Sequence, residues 1–251
     1  MHSHLYIVSF FLALMITSCT PKTAPLVATE QENTYLQIDS GATYSRVNSQ
    51  IQPYRDSLAL EMHRPLTVLN RPITHSRNNP NTLIGPWICD ILLEEGKEIF
   101  DSVSIHAAIY NPGGIRSPRL SDTIRVRDIY ELLPFDNYLA LLEVTGEQLQ
   151  EWIKHTVSRG GWPVSHTMEV YVSSPKSIQV LVDGAPLQPH STYRVLTNDY
   201  IANGGDDCDF LAPIPFQKSQ SFIRDIVIRH FDRSPTRAVD RTTRIHFMTQ
   251  N

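Results

Sequence analysis

From residue 43 onward the spacing of apolar residues switches repeatedly between helical and strand-like, and the strand-like runs gather in the second half of the chain. A helix needs an apolar position every three or four residues, and a half-buried strand needs one every second residue. A mixed order of this kind predicts an α+β domain rather than a doubly wound parallel sheet. Tyr44, Val47, Ile51, Tyr54 and Leu58 predict a helix over 43–63, broken or kinked near Pro53. Leu83, Ile84, Trp87, Ile88, Ile91, Leu92 and Ile99 give a second helix over 81–100, with Pro86 near its first turn. Further helices are expected at 126–133, at 145–157 with Thr145 as N-cap, and at 222–231. Strands are expected at 66–69, 103–110, 138–144, 168–173, 177–182, 193–197 and 244–248, with a turn at Asp183-Gly184.

With 251 residues and 41% apolar side chains the chain can bury a core without staples, as one domain of about 200 residues once the N-terminal segments are set aside. The formal charge of −4 comes from 22 basic and 26 acidic residues spread along the chain. No block is basic enough to follow a nucleic-acid backbone, so a nucleic-acid polymer is not an expected partner. Seventeen prolines against eleven glycines point to rigid, irregular connections rather than a helical bundle.

Residues 5–16 form an apolar run too short to span a bilayer as a helix and suited to the hydrophobic region of a signal peptide. It is followed by Ile16-Thr17-Ser18-Cys19, which resembles the lipobox of bacterial lipoproteins. The resemblance implies a signal peptide over 1–18, an acylated Cys19 and an exported protein that meets the membrane only through its lipid anchor. His2 and His4 stand where Lys or Arg is usual, so a plain cleaved signal peptide is the alternative. Residues 19–42 read as a flexible tether and 43–251 as the folded domain. Pro21 in place of an Asp after the cysteine favours the outer membrane. Cys89 falls in an apolar helical pattern, where a buried free thiol is the expected state, with a disulfide to Cys208 as the alternative.

Three stretches carry chemistry, each at the end of an expected strand. In Asn111-Pro112-Gly113-Gly114-Ile115-Arg116, paired glycines allow close backbone approach and the arginine fork suits phosphate or carboxylate. In Leu133-Pro134-Phe135-Asp136-Asn137, a ring can face a base and an Asn can donate and accept on a purine edge. The third stretch is Thr197-Asn198-Asp199-Tyr200-Ile201-Ala202-Asn203-Gly204-Gly205-Asp206, in which an acceptor-only carboxylate can take both hydroxyls of a ribose. Each alone also fits a tight turn with a packed aromatic residue.

In this order and with these gaps the three stretches resemble the C-terminal domain of the 5'-nucleotidase and UDP-sugar hydrolase family. Val144-Thr145-Gly146-Glu147-Gln148-Leu149 and Tyr193-Arg194-Val195-Leu196-Thr197-Asn198-Asp199-Tyr200 extend the likeness over about 45–248. The resemblance implies a base held between Phe135 and Tyr200, with Asn137 beside it, the ribose on Asp206, and Arg116 facing the phosphate or sugar. Asn111, Gly113, Gly114, Gly204 and Gly205 are implied as the surrounding backbone, and Arg77 is the nearest counterpart of an upstream arginine. Two departures stand out. Asp207 replaces the usual glycine, raising negative charge beside the ribose site, and Asn78, Asn79 and Asn81 occupy a helix start that usually carries a Glu.

Complete members of that family hold two divalent metals in an N-terminal domain, on clusters such as Asp-x-His and Gly-Asn-His-Asp/Glu. Those clusters are absent here, and the only His-x-His, at His2 and His4, lies in the signal segment. No cofactor is therefore expected in this chain, and no catalytic residue. The expectation is a recognition subunit for a nucleoside or nucleotide that works with a separately encoded dimetal phosphoesterase. The alternative is a binding lipoprotein without chemistry.

Overall fold

The computed structural model describes residues 45–101, 104–234 and 239–248. From Ile51 onward the described residues form one compact unit. The expected signal segment, Cys19, the tether and Tyr44 lie outside the described residues.

Helix α1 (Ser45–His63) is followed by strands β1 (Pro65–Val68) and β2 (Ile73–Thr74), helix α2 (Ile84–Ile99) and strand β3 (Ala107–Ala108). Next come β4 (Arg119–Leu120), β5 (Thr123–Arg125), helix α3 (Val126–Leu132), the long strand β6 (Tyr138–Thr145) and helix α4 (Gly146–Ser158). The second half adds β7 (Met168–Ser174), β8 (Ser177–Val182), β9 (Ala185–Pro186) and β10 (Thr192–Asn198), then the one-turn helix α5 (Asp199–Ala202). Strand β11 (Phe216–Phe222), helix α6 (Ile223–Arg233) and strand β12 (Ile245–Phe247) complete an α+β domain.

A central sheet in the order β11-β6-β10-β3 organises the domain, and a second sheet runs β12-β7-β8-β9. Strand β6 is almost wholly apolar because both faces of the central sheet are covered. Successive side chains point to opposite faces. Leu139 and Leu141 enter a core with Trp87 and Ile88 of α2, Ile129 of α3 and Ile226 of α6. Ala140, Leu142 and Val144 enter a second core with Leu149 and Trp152 of α4 and Met168 and Val170 of β7. Thr145 caps α4 as expected, its hydroxyl accepting from the Gln148 amide while the Gln148 side chain accepts from the Thr145 amide.

Besides the short strands β2, β4, β5 and β9 and the one-turn helix α5, which the sequence reading did not give, four elements depart from it. Helix α1 runs unbroken across Pro53, and its residues from Val47 to Glu61 are exposed, which leaves room for the local opening a proline ring needs. Its stripe of Val47, Ile51, Tyr54 and Leu58 is exposed, at 50%, 40%, 79% and 57%. Helix α2 starts at Ile84 rather than at 81, because asparagine side chains claim the preceding backbone. Asn79 Oδ1 accepts from the Asn81 amide at 3.0 Å, and Asn81 Oδ1 accepts from the amides of Arg244 and Ile245. Strand β3 is short because its backbone changes partner. Ile109 still donates to Leu196, but Tyr110 donates to Pro163 instead. Strand β11 has no sequence signature, since Phe-Gln-Lys-Ser-Gln-Ser-Phe is an edge strand of mostly exposed polar residues with a register shift opposite β6.

Candidate functional site

The register of the central sheet places the three expected stretches at one end. Strand β10 runs parallel to β3, with Leu196 opposite Ala108, and antiparallel to β6, with Asn198 opposite Leu139. The chain thus leaves β3 and β10 and enters β6 at the same edge, so residues 111–116, 134–137 and 198–207 emerge side by side.

They surround a cavity of about 480 Å³. Asn111, Gly113, Gly114 and Arg116 supply one side, Phe135 and Asn137 another, and Tyr200 and Asp206 a third; Arg77 also lines it. A neighbouring open groove of about 530 Å³ shares Asn137 and Tyr200 with it and takes in Gly204 and Gly205. Every binding residue expected from sequence therefore falls on one of two adjoining hollows. Phe135 and Tyr200 are left 46% and 48% exposed, an unusual state for large rings on an otherwise well-packed sheet end.

Hydrogen bonds fix the acidic side. Asp206 Oδ1 accepts from the Tyr200 hydroxyl at 3.0 Å and Oδ2 from Asn111 Nδ2 at 2.8 Å. Asn111 is itself held by Asn198, whose Nδ2 donates to Asn111 Oδ1 at 2.8 Å and whose Oδ1 caps α5 by accepting from the Ile201 amide at 2.9 Å. Both asparagines are buried. An ionised carboxylate has about four lone-pair sites, so two remain for further donors after these bonds. The Asp206 backbone is left-handed, at φ 52°, and His155 Nε2 donates to its carbonyl at 3.0 Å. The Asp206 amide, donating to the Tyr200 hydroxyl, lowers its pKa, but the bond to the Asp206 carboxylate, burial and the charges of Asp206 and Asp207 outweigh it and lift the hydroxyl above its ordinary value.

The glycines divide by role. A Cβ on Gly114 would lie 2.7 Å from the Tyr110 ring and 2.9 Å from Asn111 Oδ1, so the protein itself requires that glycine. A Cβ on Gly205 would lie 2.5 Å from the Tyr200 ring. A Cβ on Gly113 would meet only ordinary contacts, so the protein's own packing does not require that glycine.

The two sequence departures have local explanations. Asp207 also adopts a left-handed backbone, at φ 58°, which a glycine would adopt freely and which costs an L-residue roughly 1 kcal/mol. Its carboxylate is paired with Arg159, which offsets the expected rise in negative charge. Asn81 is occupied in fastening β12, and Arg77 nevertheless reaches the cavity. Arg77 and Arg116 are exposed and enter no ion pair among the described residues, whereas Arg159 is tied to its carboxylate.

Sequence reasoning missed Asn198, His155 and His75 as supports of the site. The signal for Asn198 was its place between a strand end and a one-turn helix, where an Asn side chain caps. His75 is buried below the first loop, with Nε2 3.3 Å from the Pro112 carbonyl and no partner for Nδ1 among the described residues. Burial is the main cause holding its pKa below the usual value, with the charge of nearby Arg77 adding to it. Cys89 and Cys208 are both buried free thiols. Among the described residues no group of three or more His, Cys, Asp and Glu side chains could hold a metal ion.

Comparison with known proteins identifies the family. Residues 64–213 match the family described as "5'-nucleotidase, C-terminal domain". The 5'-nucleotidase of Diplobatis ommata is 28% identical over 188 residues, covering 63% of this chain and 32% of that protein. The trifunctional nucleotide phosphoesterase protein YfkN of Bacillus subtilis is 28% identical over 145 residues, 50% of this chain and 9% of its own length. This chain thus spans a third or less of those two relatives. The 5'-nucleotidase precursor from Thermus thermophilus shares the fold, with a TM-score of 0.67 and 21% identity over 82% of this chain and 44% of that one. A match over more than half the chain, on a shared fold, makes it a member of the 5'-nucleotidase family through that family's C-terminal domain.

Proposed function

We propose that this domain binds a nucleoside or nucleotide and presents its phosphate to a dimetal phosphoesterase carried on a separate chain. The base lies between Phe135 and Tyr200 with Asn137 at its edge, the ribose hydroxyls bond to Asp206, and Arg116 and Arg77 face the charged end. One observation carries this reading: two half-exposed rings, a carboxylate with spare acceptor capacity and two arginines with no ion pair among the described residues line a single cavity. Flat apolar faces suit a base, an acceptor-only group suits a cis-diol, and free guanidinium groups suit phosphate. The chain itself supplies recognition and orientation; the metals, on the partner, would activate the attacking water.

Calorimetric titration of the purified domain with adenosine and AMP tests the binding half. Saturable binding that Phe135→Ala, Tyr200→Ala and Asp206→Ala each weaken is the expected result; equal affinity in all three variants would show the cavity to be misassigned. Phosphate release from AMP tests the other half. It should require both this chain and an exported metallophosphatase. If no metallophosphatase responds to this chain while adenosine still binds, the function is nucleoside capture alone.

The anchor belongs to the same proposal: acylation at Cys19 would hold the domain at the outer membrane of a bacterial envelope. Cys19→Ser should move the protein from the detergent phase to the aqueous phase on Triton X-114 partition, and an unchanged distribution would rule the anchor out.

A further inference from the structure

Phe135, 46% exposed, projects from a loop, yet a stacking wall must be held before its ligand arrives if it is to bind without an ordering penalty. The first turn of α6 supplies the hold. The Ile223 amide donates to the Asn137 carbonyl at 2.8 Å. Arg224 reaches the other side of the loop, donating through Nη1 to the Pro134 carbonyl at 3.3 Å and through Nη2 to Asp136 Oδ1 at 2.7 Å. Phe135 is therefore bracketed on both sides by residues bonded to one guanidinium.

That guanidinium is itself fixed by two rings. Its carbon lies 4.6 Å from the centre of the Tyr130 ring and 5.6 Å from that of Phe222, and its side chain is only 11% exposed. Planarity lets Arg224 stack on aromatic faces while donating in its own plane, a combination that a lysine ammonium cannot reproduce. Arg224 does not line the cavity, so it would not touch a ligand there. Arg116, by contrast, lines the cavity and sits 5.7 Å from the Phe135 ring.

We propose that Arg224 is the positioning residue for the Phe135 wall, setting base affinity from outside the cavity. This inference rests on the nucleoside reading of that cavity, and its test has one arm that needs no ligand. In Arg224→Met, deuterium uptake in the peptide covering 134–137 should rise at least fivefold, with uptake over 198–207 unchanged. Unaltered uptake at 134–137 would overturn the proposal whatever the cavity binds.

The second arm compares adenosine with ribose 5-phosphate, which has no base to stack. Arg224→Met should weaken adenosine about tenfold and ribose 5-phosphate less than twofold, with Arg224→Lys intermediate on adenosine. Adding Arg224→Met to Phe135→Ala should cost less than a further twofold. Equal losses on the two ligands, or a full additional tenfold loss on the Phe135→Ala background, would show that Arg224 does not act through the ring. If the unaltered protein binds neither ligand, the nucleoside reading fails, and hydrogen exchange alone still decides whether Arg224 holds the loop.

Discussion

The two aromatic walls of the cavity are held by different chemistry. Tyr200 and Asp206 are fixed by a neutral amide relay, Asn198 to Asn111 to Asp206, whose two asparagines are buried. Phe135 is bracketed by bonds from Arg224, a guanidinium 11% exposed between two rings, to the Pro134 carbonyl and to an Asp136 side chain that is 68% exposed. A buried relay is costly to break because each orphaned polar group loses its partner without gaining water. An ion pair whose carboxylate stands mostly in water contributes little to stability, and Asp136 can be lost without unfolding the domain. One wall is thus part of the fold, while the other is adjustable, and substitutions can separate the two.

The largest expected effect is on stability. Asn198→Ala removes a buried donor, the cap of α5 and the support of Asn111, and should cost about 3 kcal/mol in urea unfolding. Asp136→Ala, which breaks the opposite wall's pair, should cost less than about 1 kcal/mol. Similar losses in the two variants would erase the distinction between the walls.

Binding should respond next. Asp206→Ala should lower adenosine affinity about 100-fold, since hydrogen bonds to a charged acceptor contribute roughly 1.5–3 kcal/mol. A loss under threefold, measured by calorimetry, would remove the ribose from Asp206.

The rings should differ more modestly. Phe135→Ala should cost about tenfold in affinity, within the range of about 1–3 kcal/mol for stacking one base. Tyr200→Ala should cost more, because it also frees Asp206 Oδ1 from its hydroxyl donor. The reverse order would place the firmer contact on the adjustable wall.

A smaller effect of opposite sign is expected at Asp207. Asp207→Gly relieves a left-handed backbone at φ 58° and gives up an exposed pair with Arg159. The net should be a stabilisation of under about 1 kcal/mol, seen as a raised urea midpoint.

The smallest effect concerns the loop beneath Arg116. Burial depresses the pKa of His75 in the folded state. Below about pH 6.5 the unfolded chain takes up a proton that the folded chain refuses, so stability falls with pH through that range. His75→Gln should flatten that part of the profile relative to the unaltered protein; an unchanged slope would assign it to another group.

How far the site was legible depends on the range of the interaction. Phe135, Tyr200, Asp206 and Arg116 could be read from short stretches because their chemistry is carried by the residue type. Asn198 and Arg224 could not be read in the same way, since their roles lie in partners 87 and 88 residues away. The α1 stripe shows the converse limit. Its spacing gave a helix, which formed, but periodicity does not say whether an apolar face meets a core, and here Tyr54 is 79% exposed. Strand β11 escaped notice because an edge strand takes its order from backbone bonds to β6 rather than from a buried face.

The sequence by itself determined the helices, the long strands, the α+β order and the residue types that could meet a nucleotide. Those properties depend on neighbours within a few positions, where spacing and propensity act directly. The tertiary structure alone decided that three stretches far apart in the chain share one cavity. That follows from β10 lying parallel to β3 and antiparallel to β6, a pairing fixed by burying both faces of the sheet and written in no local pattern.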